Sequence, residues 1–298
     1  MCNIKLNEID LGFGGGYMLQ YANRDRFQMM GYLIETPEGK TVMIDGGSLD
    51  GKDAEYMYDL LSKRGKKVDL WIITHAHDDH FGALSVLLKN KDSFDIDIGE
   101  MYFDFPPTEW IATVEDDTSF KPVTEFLERL DNCGIKYKKL NKGDVYTVGG
   151  LSIDVLKECG EYRKFKGINN TSAVLKVHFP KRDVLFLGDL GETAGNELLE
   201  EVPCELLRCD IVQMAHHGQN GVNKSFYEVV KPKICLYCAP EWLWENVGKN
   251  GKGTGPFNTL KTRAWMEELG VEMSCPTLTV TTNLFNQIKK QVRKLGLA

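Results

Sequence analysis

The chain has 298 residues, of which 42% are hydrophobic and 27% are charged, with a formal net charge of -7 at pH 7. This size and composition predict a large buried core, and we expect one double-layered domain spanning residues 1–298. The negative net charge supplies no general attraction for a polyanion such as nucleic acid. No apolar run approaches the roughly 20 residues of a membrane span, and residues 1–8 lack the apolar core of a signal peptide. We therefore expect a cytoplasmic protein.

The predicted elements alternate along the chain, without an internal repeat or a low-complexity linker. Hydrophobic patterns predict strands at residues 4–11, 31–35, 40–44, 70–73, 173–179, 185–187, 210–214 and 234–238. They predict helices at residues 54–63, 81–88, 123–132, 192–201 and 260–269. This order indicates a mixed α/β fold.

The eight cysteines are scattered through a chain far larger than a disulfide scaffold, so we expect most of them to be reduced. Cys235 and Cys238 have C-x-x-C spacing, but they lie in a predicted strand with no second pair to complete a zinc site. Core packing is the favoured interpretation.

The main chemical signal is the heptapeptide at residues 74–80, which contains three of the six histidines and directly follows the predicted strand at 70–73. It supplies His75, His77, Asp79 and His80. Imidazole and carboxylate groups are the ligands that borderline divalent cations prefer. A chance polar loop is the alternative, and it becomes less favoured as further motifs follow in order.

The spacing within the heptapeptide predicts two metal ions. Because side chains alternate along a strand, His75 and His77 can point the same way and hold one ion. Asp79 and His80 fall past the strand end and can hold a second. Two ions about 3.5–4 Å apart stabilise both the attacking and the leaving oxygens of a displacement.

Two later strand ends supply further candidate ligands. The apolar strand at 185–187 ends in Gly188-Asp189, which makes Asp189 the candidate bridge between the two ions. The predicted strand at 210–214 is followed by His216 and His217. We expect these strand ends to converge on the heptapeptide.

The ordered set of His-x-His-x-Asp-His, Phe-Leu-Gly-Asp and His-His-Gly resembles the metallo-β-lactamase superfamily. Within it, the motifs resemble the hydrolase domain of DNA-uptake competence proteins and the phosphorylcholine esterases. The resemblance implies a four-layer αββα sandwich with mixed sheets and the metals at one edge. It also implies that Asp45, in Ile-Asp-Gly-Gly, supports the histidine loop without coordinating, and it favours His217 over His216 as a ligand.

One departure from the family pattern stands out. The family commonly has a further histidine shortly before the Gly-Asp strand, but here Asn170 occupies the corresponding place. An amide is a weak zinc ligand, so the ion held by His75 and His77 is expected to bind more loosely, and mononuclear or manganese forms become possible. His178 lies several residues past the motif and is interpreted as structural.

These features predict a metal-dependent hydrolase that uses a metal-bound hydroxide on a phosphoester or phosphodiester, with one or two ions, zinc before manganese or iron. Asp79 and Asp189 would orient the hydroxide, and His216 would contact the substrate or protonate the leaving oxygen. The alternatives are a lactone or thioester hydrolase, and a binding or regulatory module with little turnover.

Three segments outside the metal motifs bear on the substrate. The aromatic and glycine-lysine segment at 242–255 is interpreted either as a cover for the site or as a mobile surface loop, and residues 105–110 are a candidate pocket wall. Lys289, Lys290, Arg293 and Lys294 could touch phosphates, but basic residues at a helix end also suit the helix dipole. A small-molecule or phosphoester substrate is therefore favoured over nucleic acid.

Overall fold

The computed structural model describes residues 8–10, 17–20 and 27–276. Within these residues, two sheets of seven strands each follow one another along the chain. The strands of the first sheet are β1 (Glu8–Asp10), β2 (Tyr17–Gln20), β3 (Tyr32–Glu35), β4 (Thr41–Ile44), β5 (Lys67–Ile72), β6 (Asp97–Phe103) and β7 (Lys138–Lys139). The strands of the second are β8 (Val145–Val148), β9 (Leu151–Lys157), β10 (Val174–His178), β11 (Asp183–Phe186), β12 (Ile211–Gln213), β13 (Ile234–Tyr237) and β14 (Met273–Pro276).

Helices flank the two sheets, and short 3-10 turns connect several elements. The helices are α1 (Gly51–Ser62), α2 (Asp78–Leu88), α3 (Thr108–Val114), α4 (Asp117–Asn132), α5 (Glu192–Glu201), α6 (Cys204–Leu207), α7 (Lys224–Val230), α8 (Glu241–Trp244) and α9 (Thr259–Glu268). The 3-10 turns are Lys91–Ser93, Tyr162–Lys164, Ile168–Thr171 and Ala215–Gly218.

Both sheets are mixed, and they share the same plan. In the first, β1 to β4 pair antiparallel, and β4 to β7 pair parallel. In the second, β8 to β11 pair antiparallel, and β11 to β14 pair parallel. The parallel strands of each sheet deliver their carboxyl ends to one edge.

Alternation of apolar side chains holds the layers together. In β5, Leu70 and Ile72 join a core that also contains Phe186 of β11, whereas Trp71 packs on the opposite face with residues of α1, α2 and α4. The outer face of the second sheet packs in the same way against α5, α7 and α9. Period-two alternation therefore buries both faces of both sheets. The predicted four-layer αββα sandwich with mixed sheets is confirmed.

Most predicted elements agree with the structure to within a few residues at their ends. The helix predicted at 192–201 has those bounds, but the helix predicted at 123–132 begins earlier, at Asp117. Pro122 interrupts the helical pattern in the sequence, yet it lies inside this helix. The strand predicted at 4–11 is described only at Glu8–Asp10, where it forms β1.

Cys235 and Cys238 lie in two different hydrophobic clusters of the second sheet. The Cys235 Sγ lies 3.3 Å from Met266 Sδ, and the Cys238 Sγ lies 3.0 Å from the Tyr32 hydroxyl. This separation agrees with core packing. Across the part of the chain that the structure describes, no helix is both long enough and apolar enough to cross a membrane.

Candidate metal centre

Polar side chains gather where four parallel strands end. Asp45 follows β4, the heptapeptide at 74–80 follows β5, Asp189 follows β11, and the pair His216 and His217 follows β12. The Ala173 amide donates to the Thr74 carbonyl at 2.9 Å, which joins the two sheets beside these residues. The predicted convergence of the strand ends is therefore observed.

The first ligand cluster, defined as His75, His77 and Asp189, has three potential ligand atoms within 4.8 Å of one another. His75 Nε2 lies 3.2 Å from His77 Nδ1 and 3.9 Å from Asp189 Oδ2. The His75 side chain is fully buried, whereas that of His77 is 19% exposed. The cluster thus opens to solvent on the His77 side.

The second ligand cluster, defined as Asp79, His80 and His217, also has three potential ligand atoms within 4.8 Å of one another. His217 Nε2 lies 3.1 Å from Asp79 Oδ2, and His80 Nε2 lies 3.8 Å from Asp79 Oδ1. Both histidine side chains are fully buried. The grouping of His75 with His77, and of Asp79 with His80, is the one that the spacing predicts.

Asp189 lies between the two clusters. Its Oδ1 is 3.2 Å from His80 Nε2, and its Oδ2 is 3.5 Å from His217 Nε2. Because Asp189 also belongs to the first cluster, one carboxylate contacts histidines of both sets. This is the position expected of a bridging carboxylate.

The histidines of the second cluster are oriented by partners on the ring nitrogen that faces away from the site. His80 Nδ1 lies 2.9 Å from Asp45 Oδ2, and His217 Nδ1 lies 2.9 Å from the Cys238 carbonyl oxygen. Since a carboxylate and a carbonyl can only accept, each Nδ1 carries the proton. In the neutral imidazole, both Nε2 atoms then present lone pairs to the site, the arrangement that ligating histidines require.

The first cluster follows the same rule with different partners. The Thr74 hydroxyl donates to Asp45 Oδ2 and lies 3.2 Å from His75 Nδ1, from which it can accept. His77 is turned the other way, with Nε2 3.5 Å from Glu115 Oε1 and Nδ1 facing His75. With these tautomers, two lone pairs face each other across 3.2 Å, and a cation between them removes the repulsion.

A second observation also indicates that the residues of these clusters suit a divalent cation. Within the described residues, His80 Nε2, His217 Nε2 and Asp189 Oδ1 are buried and have no hydrogen-bond partner. Unpaired buried polar atoms are costly and rare. These three lie within a few ångströms of one another without aligning as hydrogen bonds, so they point at shared space rather than at each other.

Burial and neighbouring charge act in opposite directions on these groups. Burial favours the neutral imidazole of His80, but the Asp189 and Asp45 carboxylates outweigh it and hold the pKa of His80 well above its usual range. The same balance raises the pKa of His217 to about 9, chiefly through Asp189. Burial acts to raise the pKa of Asp189, but His217 and His80 hold it well below its usual range. The Asp189 carboxylate therefore stays ionised and attracts positive charge.

Strained backbone places the histidine pair. His216 and His217 have φ values of 50° and 55°, in the left-handed region that β-carbon-bearing residues seldom adopt, and Gly218 follows at 80°. A Cβ on Gly218 would lie 2.2 Å from the Tyr237 ring, so only glycine fits there. This kind of strain persists where the surroundings enforce it, and it is frequent at functional sites.

The family model of the metallo-β-lactamase superfamily matches residues 25–234. The chain belongs to the metallo-β-lactamase superfamily. Membership confirms the predicted family and fold, and at the level of the family it confirms a metal-dependent hydrolase. The superfamily binds one or two divalent metals, and the two ligand clusters are where such ions would lie.

Two curated relatives give partial matches. The chain is 25% identical over 181 residues to ComE operon protein 3 of Bacillus subtilis (strain 168), which covers 60% of this chain and 21% of that protein. It is 33% identical over 67 residues to a UPF0173 metal-dependent hydrolase of Polynucleobacter asymbioticus, covering 22% of this chain and 24% of that protein. The chain thus spans about a quarter or less of either relative's length. The first match supports the comparison with DNA-uptake competence proteins.

Solved structures agree on the fold. The metallo-beta-lactamase fold protein YhfI from Bacillus subtilis has a TM-score of 0.51 at 12% identity, over 90% of this chain and 94% of that one. Unliganded yeast PDE1 has a TM-score of 0.50 at 10% identity, over 93% and 98%. Identities this low establish the superfamily fold and nothing finer.

The two asparagines at the predicted departure from the superfamily pattern face different ways. Asn170 is predicted at the depleted ligand position, and its Oδ1 accepts from the Ala194 amide at 3.1 Å, so it faces the start of α5. Asn169 faces the site instead, with Nδ2 3.5 Å from His216 Nε2. Its Oδ1 is buried without a hydrogen-bond partner among the described residues. A 3-10 turn at Ile168–Thr171 separates the two side chains by about a third of a turn.

Two histidines outside the ligand clusters occupy distinct places. His216 Nε2 lies 3.7 Å from Asp189 Oδ2, and its side chain is 19% exposed, so it sits at the rim of the metal centre. His178 lies between the Asp183 and Asp154 carboxylates, at 2.9 and 3.0 Å. That placement agrees with a structural role for His178.

Glu115 is a further site residue that sequence reasoning missed. It lies between α3 and α4, and its Oε1 accepts from the Ile168 amide at 3.1 Å in addition to facing His77. Acidic residues before a helix are usually explained by the helix dipole. Only the folded chain reveals that this one reaches the metal centre.

A cavity of about 970 Å³ adjoins the second ligand cluster. Its walls include the apolar side chains of Phe27, Leu49 and Trp242, and the carboxylates of Asp50, Asp78 and Asp79. Trp242 is thus the one part of the predicted covering segment that lines it.

Hydrogen bonds within the covering segment fix its conformation around Asn246. Asn246 Oδ1 accepts from the Phe257 amide at 3.1 Å, and its Nδ2 donates to the Gly255 carbonyl at 3.1 Å. The segment at 105–110 lines a separate cavity of about 360 Å³ and so does not wall the one beside Asp79. The basic stretch at 289–294 lies outside the described residues.

Proposed function

We propose that this chain is a dinuclear metal-dependent hydrolase that cleaves a phosphoester or phosphodiester. One observation carries the proposal: four buried or nearly buried histidines each direct one ring nitrogen toward two adjacent clusters, and each has its other nitrogen beside an outer partner. This arrangement is typical of metal ligands. His75, His77 and Asp189 would hold one ion, and Asp79, His80, His217 and Asp189 the other, with Asp45 supporting them.

Zinc is the first candidate metal, because imidazole and carboxylate ligands suit it, and manganese or iron are the alternatives. Bound divalent cations lower the pKa of water toward about 7 and neutralise charge that develops on phosphoryl oxygens. The Asp79 and Asp189 carboxylates would orient the attacking water and accept hydrogen bonds from it. His216, at the rim, would hold the proton that passes to the leaving oxygen.

A small phosphoester suits the surroundings of the centre better than a nucleic acid does. The net charge is -7, and the cavity beside Asp79 has three carboxylates and three apolar side chains among its described lining residues. A polyanion would be repelled there. The single domain over residues 1–298 and the cytoplasmic location stay predictions.

Elemental analysis of zinc, manganese and iron per chain tests the metal centre. We expect near two ions in the wild type and about one in His77→Ala, on protein purified without chelator. His178→Ala is the matched control, because His178 pairs with Asp183 away from the centre, and it should keep two ions. A wild type that holds no metal even after metal is added would overturn the proposal.

A substrate panel tests the reaction. Metal-loaded protein should hydrolyse bis(p-nitrophenyl) phosphate faster than a lactone, a thioester or a β-lactam of similar size. Turnover of the lactone or thioester alone would contradict the phosphoester assignment while keeping the metal centre. Full metal content with no turnover on any class would favour the rival proposal of a binding or regulatory module.

A further inference from the structure

His77 differs from the other ligand candidates in how its ring is held. His75, His80 and His217 all point Nε2 at the site, whereas His77 points Nδ1 at it, because Nδ1 lies 3.2 Å from His75 Nε2. Its Nε2 faces outward, 3.5 Å from Glu115 Oε1. For Nδ1 to act as a ligand, the proton must be on Nε2, and an acceptor must hold it there.

Glu115 is well placed to be that acceptor. Its backbone lies in the short link between α3 and α4, where its amide donates to the Ile111 carbonyl at 3.0 Å and Asp116 caps α4. Its Oε1 also accepts from the Ile168 amide at 3.1 Å. The side chains of Glu115 and His77 are 21% and 19% exposed, so neither is free in solvent.

We infer that Glu115 is a positioning residue that fixes the tautomer and ring orientation of His77, and that it thereby keeps Nδ1 directed at the first ligand cluster. This inference rests on the proposed metal centre. The same carboxylate ties His77 to the turn at Ile168–Thr171, which carries Asn169. Glu115 therefore supports the side of the centre where the superfamily pattern is depleted.

The inference makes a selective prediction. Outer carboxylates of this kind affect metal affinity by about 10–100-fold. Loss of Glu115 should weaken one of two bound equivalents by that factor and leave the other nearly unchanged, because Asp45 and the Cys238 carbonyl orient the histidines of the second cluster independently.

Calorimetric zinc titration of metal-free, full-length protein tests this. Glu115→Ala should weaken one equivalent, and Glu115→Gln should recover most of the affinity, because the amide oxygen can accept from both His77 Nε2 and the Ile168 amide. Glu109→Ala, at an exposed acidic position on α3, is the matched control and should bind as the wild type does. Equal weakening of both equivalents, or of neither, would overturn the inference.

The tautomer of His77 gives a second readout that a merely structural role would not move. Long-range proton-nitrogen spectra of metal-free protein, recorded at a pH alkaline enough for the ring to be neutral and with His77→Ala to assign the signals, should show the proton on Nε2 in the wild type. The Glu115→Ala spectrum should show a tautomer mixture. A wild type with the proton on Nδ1 would refute the inference, whereas a wild type that binds no zinc would refute the proposed function and leave this readout intact.

Discussion

The two ligand clusters use similar chemistry but are supported by different parts of the molecule. In the second cluster, His80 and Asp45 are completely buried, and His217 is held by a backbone carbonyl at the end of β13. In the first, the outer partner of His77 is a partly exposed glutamate in a link between two helices. The second cluster is thus fixed by the sandwich core, whereas the first depends on the core at His75 and on the periphery at His77. We expect the two ions to bind with unequal affinity for this reason.

The largest effect is expected from removing the side chain of Asp189, the residue that both clusters share. Asp189→Ala should lower kcat/KM on the order of 10³-fold, because the carboxylate contacts histidines of both sets and, in the proposed reaction, would orient the attacking water. Steady-state assays on a phosphodiester and elemental analysis check this. Asp183→Ala, at the other end of β11, is the control. Unchanged metal content and turnover in Asp189→Ala would refute the bridging assignment.

The ionisation of Lys157, which lies near the first cluster, predicts how the free energy of unfolding depends on pH. Its Nζ donates to the Asn170 and Ser172 carbonyls, and burial lowers its pKa to about 8 from 10.5. Between these values the unfolded chain binds more protons than the folded one, so the free energy of unfolding should rise with pH. The rise is up to about 3 kcal/mol. At lower pH the folded lysine is charged, and its burial counts fully against the fold.

Urea unfolding at about pH 7 and about pH 10 measures this rise. Lys157→Met should lack the extra pH dependence of the wild type. Lys142→Met changes an exposed lysine that lines a cavity of about 410 Å³ together with Lys157, and it should retain the pH dependence. Parallel pH profiles for wild type and Lys157→Met would contradict the prediction.

Asp45→Asn tests the support of the second cluster. Asp45 accepts from the Thr74 amide, the Thr74 hydroxyl and His80, and an asparagine cannot satisfy all three donors. Zinc affinity should fall about 10–100-fold at the equivalent held by His80, and by less at the other, which Asp45 supports only through the Thr74 hydroxyl. The free energy of unfolding should fall by about 1–3 kcal/mol. Glu115→Ala should not destabilise metal-free protein as much. Asp69→Asn on β5 is the control. Equal destabilisation by Asp45→Asn and Glu115→Ala would contradict the claim that the core and the periphery support the clusters differently.

The smallest expected effect concerns the cavity beside Asp79. Trp242→Ala should raise the KM for an aromatic phosphodiester by a few-fold, about 1 kcal/mol of lost apolar contact, with kcat nearly unchanged. Tyr137→Ala, which changes an exposed aromatic residue of the other cavity, is the control. A fall in kcat without a change in KM would mean that the cavity does not bind the substrate.

The sequence predicted the members of both ligand clusters, but not the surroundings of the first. The predicted ligands lie in the segments that follow β5, β11 and β12, strands whose periodicity is clear, and parallel strand ends converge by geometry. Asn169 and Asn170 are neighbours in sequence, and only the 3-10 turn decides which of them faces the centre. The sequence alone does not predict which of two neighbouring residues in such a turn faces the centre.

Glu115 shows the other limit of sequence reasoning. Its contact with His77 joins two loops that are distant in the chain, and it depends on where α3 ends. The sequence pattern predicts a helix only after Pro122, at residues 123–132, so it does not indicate the link between α3 and α4. Long-range polar contacts of this kind have no periodic signature.

The metal centre also has a mechanical consequence, because its ligands come from the two halves of the chain. His75, His77, Asp79 and His80 follow a strand of the first sheet, and Asp189 and His217 follow strands of the second. Ions bound between them would link the two sheets and would add about RT ln(1 + [M]/Kd) to the free energy of unfolding. Thermal stability should then rise with free metal concentration. Chelation should weaken the contact between the two sheets before either outer helical layer unfolds.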